Sequence, residues 1–280
     1  IQLLKKKGVG PTMQKQLTKD ELSELSDLFT QPDINITTKA TMLTAILTLE
    51  KNPDENAWLE QLKLNTSEKL PIELLPLLDP TDNSHPLLPA IHKAIQHNDL
   101  TESECLTHFE SIFNETVPTY LKASFLEAER LKRESPTENQ TCFDIMWSHS
   151  HHHTTSCPVL IDFANAYDGM NRNLYLTPFI ACLLASIGFP CILHGIDEVS
   201  PKKGQNPYKL LKLANKNPLL PPEKVISQLE NQDIGWGYLD QSFSSPTIHA
   251  LKECRTLMVK RPILATLEKI LQPIRSTQTT

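Results

Sequence analysis

The stretch that most constrains this chain runs from residue 158 to residue 195. Residues 158–164 are a short apolar run bounded by polar residues, which reads as a strand. Thr177 and Pro178 read as a helix start, a hydroxyl N-cap followed by proline in the first turn. Residues 179–187 are apolar on every face, so the sequence predicts a helix covered on all sides. Gly188 is placed to end that helix with positive φ. Residues 190–195 then form a second apolar strand, closing with His194 and Gly195. Two apolar strands joined through a helix make the crossover of a parallel sheet, and ligands of such sheets sit beyond the carboxyl ends of the strands. His194, Gly195 and the loop 165–176 are therefore the first candidates for function.

Glycine supply limits what those loops can bind. The chain has 280 residues and only 8 glycines, where an average usage of about 7% gives about 20. Loops that cradle phosphate need glycine, because backbone amides must approach the anion closely. The charge is divided unevenly. Residues 200–280 carry 12 Lys and Arg against 6 Asp and Glu, and residues 1–199 carry 15 against 27. No acid occurs in residues 200–222, which hold Lys202, Lys203, Lys209, Lys212 and Lys216. A basic run of this kind is either a polyanion site or a solvated surface. The six cysteines lack paired metal-ligand spacing and are expected to be reduced, with Cys182 and Cys191 buried. There is no apolar run long enough to span a membrane, and a cytoplasmic location is expected.

An internal repeat at an offset of 83 residues organises the amino-terminal half. Leu17 and Thr18 match Leu100 and Thr101, and Glu21 matches Glu104. Lys39, Ala40, Leu43 and Ala45 match Lys122, Ala123, Leu126 and Ala128, and Pro53 with Glu55 matches Pro136 with Glu138. Thr18 with Glu21, and Thr101 with Glu104, have the capping-box spacing. The two prolines start a further helix in each copy. The expected fold class is α/β. Two repeated helical units, residues 1–80 and 86–147, precede a parallel-sheet α/β domain over residues 157–280. Residues 148–157 read as a polar linker; His149, His151, His152 and His153 lie in it, a metal site being the other reading. Further helices are expected near 207–214, 222–229, 246–257 and 262–271, and a strand near 235–239. No GxSxG, P-loop, GxGxxG or HExxH motif is present.

Residues 166–172, 176–178 and 192–195 resemble the anthranilate phosphoribosyltransferase-like proteins (glycosyltransferase family 3), in their divergent nucleic-acid-binding branch. Residues 123–128, with 130–134, resemble the family's small helical domain, which here looks doubled; residues 6–10 resemble the basic glycine turn before it. The resemblance implies a helical domain, a parallel α/β domain and pairing of two chains through the helical region. Of the family's Lys-His-Gly-Asn-Arg motif only His194 and Gly195 match, with Ile196 and Asp197 in the remaining places. Residues 165–172 stand where the family has a glycine-rich loop. Arg255 falls on the arginine that contacts anthranilate in active members. The family's Asp-Glu pair for magnesium has no counterpart up to Thr280, so a truncated or abridged α/β section is expected.

The resemblance implies a ligand site at His194, Gly195, Arg255, Asn171 and Arg172. The charge distribution adds a polyanion site with Lys202, Lys203, Lys209 and Lys212 on one edge and Lys260 and Arg261 on another. The expected function is a family-like protein with degenerate catalytic motifs that binds a phosphate-bearing small molecule or nucleic acid, without cofactor or metal. The alternatives are an active phosphoribosyltransferase, for which magnesium would be needed, and a structural or dimerisation protein.

Overall fold

The computed structural model describes residues 1–65 and 69–276. The parts of the expected units that fall on 66–68 and 277–280 lie outside the described residues. The chain divides into two compact units. One comprises Ile1–Cys142 with Glu253–Ile263, the other Phe143–Lys252 with Leu264–Thr280.

The first unit holds both copies of the repeat. Copy one is α1 (Gln2–Lys7), α2 (Lys19–Thr30), α3 (Ile36–Thr48) and α4 (Pro53–Leu64). Copy two is α5 (Leu88–Ile95), α6 (Glu102–Ser111), α7 (Thr119–Lys132) and α8 (Pro136–Ser148), the last of which crosses the division at residue 142. Three of the four helices in each copy start at the same offset of 83 residues.

Local chemistry explains the coincidence. Thr18 and Thr101 close complete capping boxes with Glu21 and Glu104, satisfying amides that a helix start leaves without partners. A lysine of the preceding helix then seals each box: Lys6 reaches Glu21 at 2.6 Å, and Lys93 reaches Glu104 at 2.7 Å. The third residue of α4 and of α8 is a buried glutamate. Glu55 Oε1 accepts the Leu17 amide at 3.0 Å, and Glu138 Oε1 accepts the Leu100 amide at 2.8 Å. Each glutamate also holds a buried lysine, Lys7 at 2.9 Å and Lys132 at 2.6 Å. One carboxylate thus ties the start of one helix to the start of another, twice.

The second unit is built on parallel strands, as the crossover pattern requires. β1 (His153–Thr155), β2 (Ile161–Phe163), α9 (Thr177–Ser186), β3 (Cys191–Gly195), α10 (Pro207–Leu213), α11 (Pro222–Glu230) and β4 (Trp236–Asp240) follow in order. Short helices α12 (Gln241–Ser244) and α13 (Pro246–His249) follow; α14 (Lys252–Met258) belongs, from Glu253 on, to the first unit, and α15 (Leu264–Leu267) and β5 (Ile274–Ser276) complete the second. The main sheet has the order β2-β3-β4, all parallel, with Phe163 opposite Leu193 and Gly195 opposite Asp240. β3 is buried throughout, as a central parallel strand must be, whereas β2 is half-buried. The helices expected as single elements at 246–257 and 262–271 are each broken into two short pieces.

Two expectations are overturned. α9 is not covered on all sides. Its small residues, Pro178, Ala181 and Ala185, recur at helical spacing and are buried. Its large ones point to solvent, with Phe179 65% exposed, Leu183 64% and Ile187 63%. The stripe that packs is the one whose short side chains let the helix approach its neighbours, and Cys182 is exposed for the same reason. The stretch after α8 is also more than a linker. β1 pairs in parallel with β5 in a second sheet, and His152 stacks on Trp147 with ring centroids 4.0 Å apart. Arg275 lies 4.9 Å above the same indole.

Candidate functional site

The carboxyl ends of β2, β3 and β4 bring together Asp162, His194, Gly195, Tyr238 and Asp240. Asp162 sits inside an otherwise apolar strand and points along the sheet toward His194 of the neighbouring strand. His194 Nε2 donates to Asp162 Oδ1 at 2.8 Å. Nδ1 meets the Tyr167 hydroxyl 2.5 Å away, and that hydroxyl also reaches Glu268 O at 3.3 Å. The rings meet edge to face at 75°. His194 is completely buried and Tyr167 nearly so. The imidazole therefore braces strand β2 and the loop that follows it. On β4, Tyr238 donates to Asp240 Oδ2 at 3.0 Å, while Asp240 Oδ1 caps α12 through the amide and hydroxyl of Ser242. Burial and the neighbouring Asp240 carboxylate push the Tyr238 phenol well above its ordinary range. Gly195 lies where an added Cβ would stand 3.6 Å from the Tyr238 hydroxyl.

Above this layer, the loops after β2 and β3 are clasped to each other. Met170 and Gln205 exchange both backbone hydrogen bonds at 2.9 Å, and Gly204 donates its amide to Asp168 O at 2.8 Å. Gly169 takes φ +74°, and a Cβ there would lie 2.5 Å from Gln205 O. A Cβ at Gly204 would overlap the Asn171 side chain. Two glycines of a glycine-poor chain are used where two backbones cross.

The sequence-derived residues are distributed as follows. Asn171 is exposed and donates from Nδ2 to Lys202 O at 2.9 Å, and Arg172 is exposed beside it. Lys202 donates to Gly169 O at 3.2 Å. Lys203 and Lys209 both pair with Glu198, at 3.3 and 3.0 Å, and hold its carboxyl below the usual range. Lys212 is exposed on α10. Arg255, Lys260 and Arg261 belong to the other compact unit. There Arg255 is buried, Arg261 is exposed, and the half-buried Lys260 faces the buried Glu127. Sequence reasoning found His194 but missed Asp162 and Tyr167. The available signal was a lone aspartate within an apolar strand. His151 and His152 take backbone carbonyls, and among the described residues no three His, Cys, Asp or Glu side chains are grouped to hold a metal.

The fold defined by these features is a helical bundle with a parallel α/β unit of phosphoribosyltransferase type. Residues 88–150 match the glycosyl transferase family, helical bundle domain. An anthranilate phosphoribosyltransferase of Francisella philomiragia is 26% identical over 190 residues, covering 66% of this chain and 54% of that protein. The uncharacterized protein YbiB of Escherichia coli is 29% identical over 104 residues, 36% of this chain and 32% of the relative. The crystal structure of anthranilate phosphoribosyltransferase from Thermus thermophilus superposes with a TM-score of 0.53 at 20% identity, covering 68% of this chain and 58% of that one. The Saccharomyces cerevisiae enzyme in complex with PRPP and Mg gives 0.52 at 15% identity, covering 70% and 57%. The chain thus carries a match to the helical bundle domain of a glycosyl transferase family and is similar in sequence and fold to anthranilate phosphoribosyltransferases. It spans about half the length of the curated anthranilate phosphoribosyltransferases it matches. Among the described residues, no helix is long and apolar enough to cross a membrane.

Proposed function

We propose that this chain does not transfer phosphoribose and instead binds a polyanion, a nucleic acid or a phosphorylated small molecule, through the basic surface that follows β3. The observation that carries the first half is the fate of His194. Its ring is buried and both nitrogens are engaged, one of them by a carboxylate. A pyrophosphate approaching that strand end would meet the Asp162 carboxylate, where it needs backbone amides and cations. The loop clasp through Gly169 and Gly204 points the same way, because the crossing glycines hold each other rather than an open nest of amides.

The second half is supported by the charges left over. Glu198 is shared between Lys203 and Lys209, so this cluster keeps a net positive charge. Arg172, Lys202, Lys212 and Lys216 are exposed in the same unit and add to it. Binding through such groups releases counterions from a nucleic acid and weakens steeply with salt.

The test has two arms. A coupled assay with anthranilate, phosphoribosyl pyrophosphate and magnesium is expected to show no turnover above blank. Saturable turnover abolished by His194→Ala would restore the active-enzyme reading, which the 26% identity to Francisella anthranilate phosphoribosyltransferase favours. Fluorescence anisotropy with single-stranded and duplex DNA and RNA is expected to show salt-sensitive binding. Charge reversal at Lys202, Lys209 and Lys212 should weaken it and flatten the salt slope. Inorganic pyrophosphate as competitor separates the small-molecule source from the nucleic acid. No binding of either probe at low salt would refute the polyanion site.

A further inference from the structure

The two copies of the helical repeat do more than resemble each other. Their equivalent third helices, α3 and α7, make the most extensive contact between any two elements of the described chain. The residues buried on them match position for position at the offset of 83. Ala40 and Ala123, Leu43 and Leu126, and Ala45 and Ala128 are all completely buried, as are Thr41 and Ser124. Lys39 and Lys122 are both buried, and burial lowers both amines. Helices α1 and α5, each sealing its own capping box by a lysine, pack on α3 and α7 respectively. Two equivalent units that meet through the same face are the arrangement of an isologous two-fold contact, in which one self-complementary surface serves both partners.

We propose that the helical unit is a covalent pseudo-dimer: the α3 face, which would pair with a second copy of itself, is occupied by its duplicate on α7 of the same chain. Three consequences follow. The helical region does not pair with a second chain through these helices, because both self-complementary faces are buried in one molecule. The contact forms at the high effective concentration of a tethered pair, so it does not depend on protein concentration. The two copies are also free to diverge away from the shared face, and they have: Trp58 and Ser26, half-buried between α2 and α4, are joined by a hydrogen bond of 2.8 Å, where copy two has the buried Thr141 and Phe109 at the same offset.

The exposed apolar face of α9 is a separate route to self-association, so the experiment must remove it. Sedimentation velocity is run on the full chain and on Leu183→Glu/Ile187→Glu, which charges that face; far-UV circular dichroism checks that the variant keeps its helices. The variant is expected to sediment as a compact species of 31.6 kDa from about 1 to about 100 μM. In parallel, amide exchange of the unmodified chain is measured across the same range. Protection of α3 and α7 is expected to be high and independent of concentration. A species of twice the mass that persists in the charged variant, or protection of α3 and α7 that rises with concentration, would overturn the proposal.

Discussion

Replacing Glu55 and Glu138 by glutamine, one at a time, tests whether the duplicated carboxylates organise the helical unit. Glu55 is completely buried against a completely buried Lys7, 2.9 Å away, and accepts the Leu17 and Asn52 amides, each at 3.0 Å. Glutamine keeps one acceptor oxygen but places an NH2 donor against an ammonium or an amide. Lys7 retains Gln16 Oε1 and Glu50 O, both neutral, so a buried charge is left without a counter-ion. Breaking a buried pair from one side costs about 3–5 kcal/mol. Lys132 is better insured. After Glu138→Gln it keeps the Asp99 carboxylate at 2.8 Å, and Glu129 lies at 3.7 Å. Burial, with Glu138 second, pushes Glu129 up to about 8, so removing the Glu138 charge favours its ionisation. Glu138→Gln is therefore expected to cost less than Glu55→Gln, by about 1–2 kcal/mol, roughly the net worth of one charged hydrogen bond. The assay is urea unfolding followed by Trp58 fluorescence, with Trp147 and Trp236 replaced by phenylalanine; these are the three tryptophans of the chain. With a slope of about 2 kcal/mol/M, a 4 kcal/mol loss lowers the midpoint by about 2 M at unchanged slope. A midpoint change for Glu55→Gln below about 0.5 M, or a larger effect for Glu138→Gln, would refute the reasoning.

Burial of Glu127 raises its carboxyl to about 8, opposed by the charges of Lys260 and Arg130. The folded state therefore holds a proton that the unfolded chain releases near 4.5, and stability falls as pH rises from about 4.5 through 8. Glu127→Gln should gain stability relative to the unmodified protein between pH 5 and pH 8.5, read as a widening gap in urea midpoints; a narrowing gap rejects the sign. His194→Phe removes the ring partner of the half-buried Asp162 and leaves the Tyr167 hydroxyl its longer bond to Glu268 O, and is expected to cost about 1–3 kcal/mol, the penalty for a polar group left unsatisfied. Thermal unfolding reports it, and a loss under about 0.5 kcal/mol would mean the brace is idle. Gly204→Ala drives a Cβ onto Asn171 and onto Met170 N at 2.7 Å. Faster amide exchange at residues 166–172 and 202–205 is the expected result, with unchanged exchange counting against the clasp.

The helix starts, the duplication and the parallel order of β2 and β3 were legible in the sequence because each is written as a pattern of residue types along a continuous stretch. A capping box is a four-residue event, and a crossover helix between two apolar runs admits parallel pairing whatever else surrounds it. His194 was legible as a position, at a strand end, but not in its role. Its partners Asp162 and Tyr167 lie 32 and 27 residues away, and no local pattern marks them as a pair. The same distance problem hid β1, whose partner β5 is at the far end of the unit. It hid Lys7 as well, which lies 48 residues from the carboxylate that neutralises it.

α9 shows the limit most plainly. An all-apolar helix tells that some face is buried, and hydrophobicity alone names the wrong one. The tertiary fold buried Pro178, Ala181 and Ala185, because close approach to the sheet rewards short side chains, and left Phe179, Leu183 and Ile187 outward. The sequence by itself determined which segments are helix or strand and that the helical unit is built twice. Tertiary structure alone decided that the two copies fill each other's faces and that His194 spends both nitrogens on its own chain, since both depend on which distant surfaces meet.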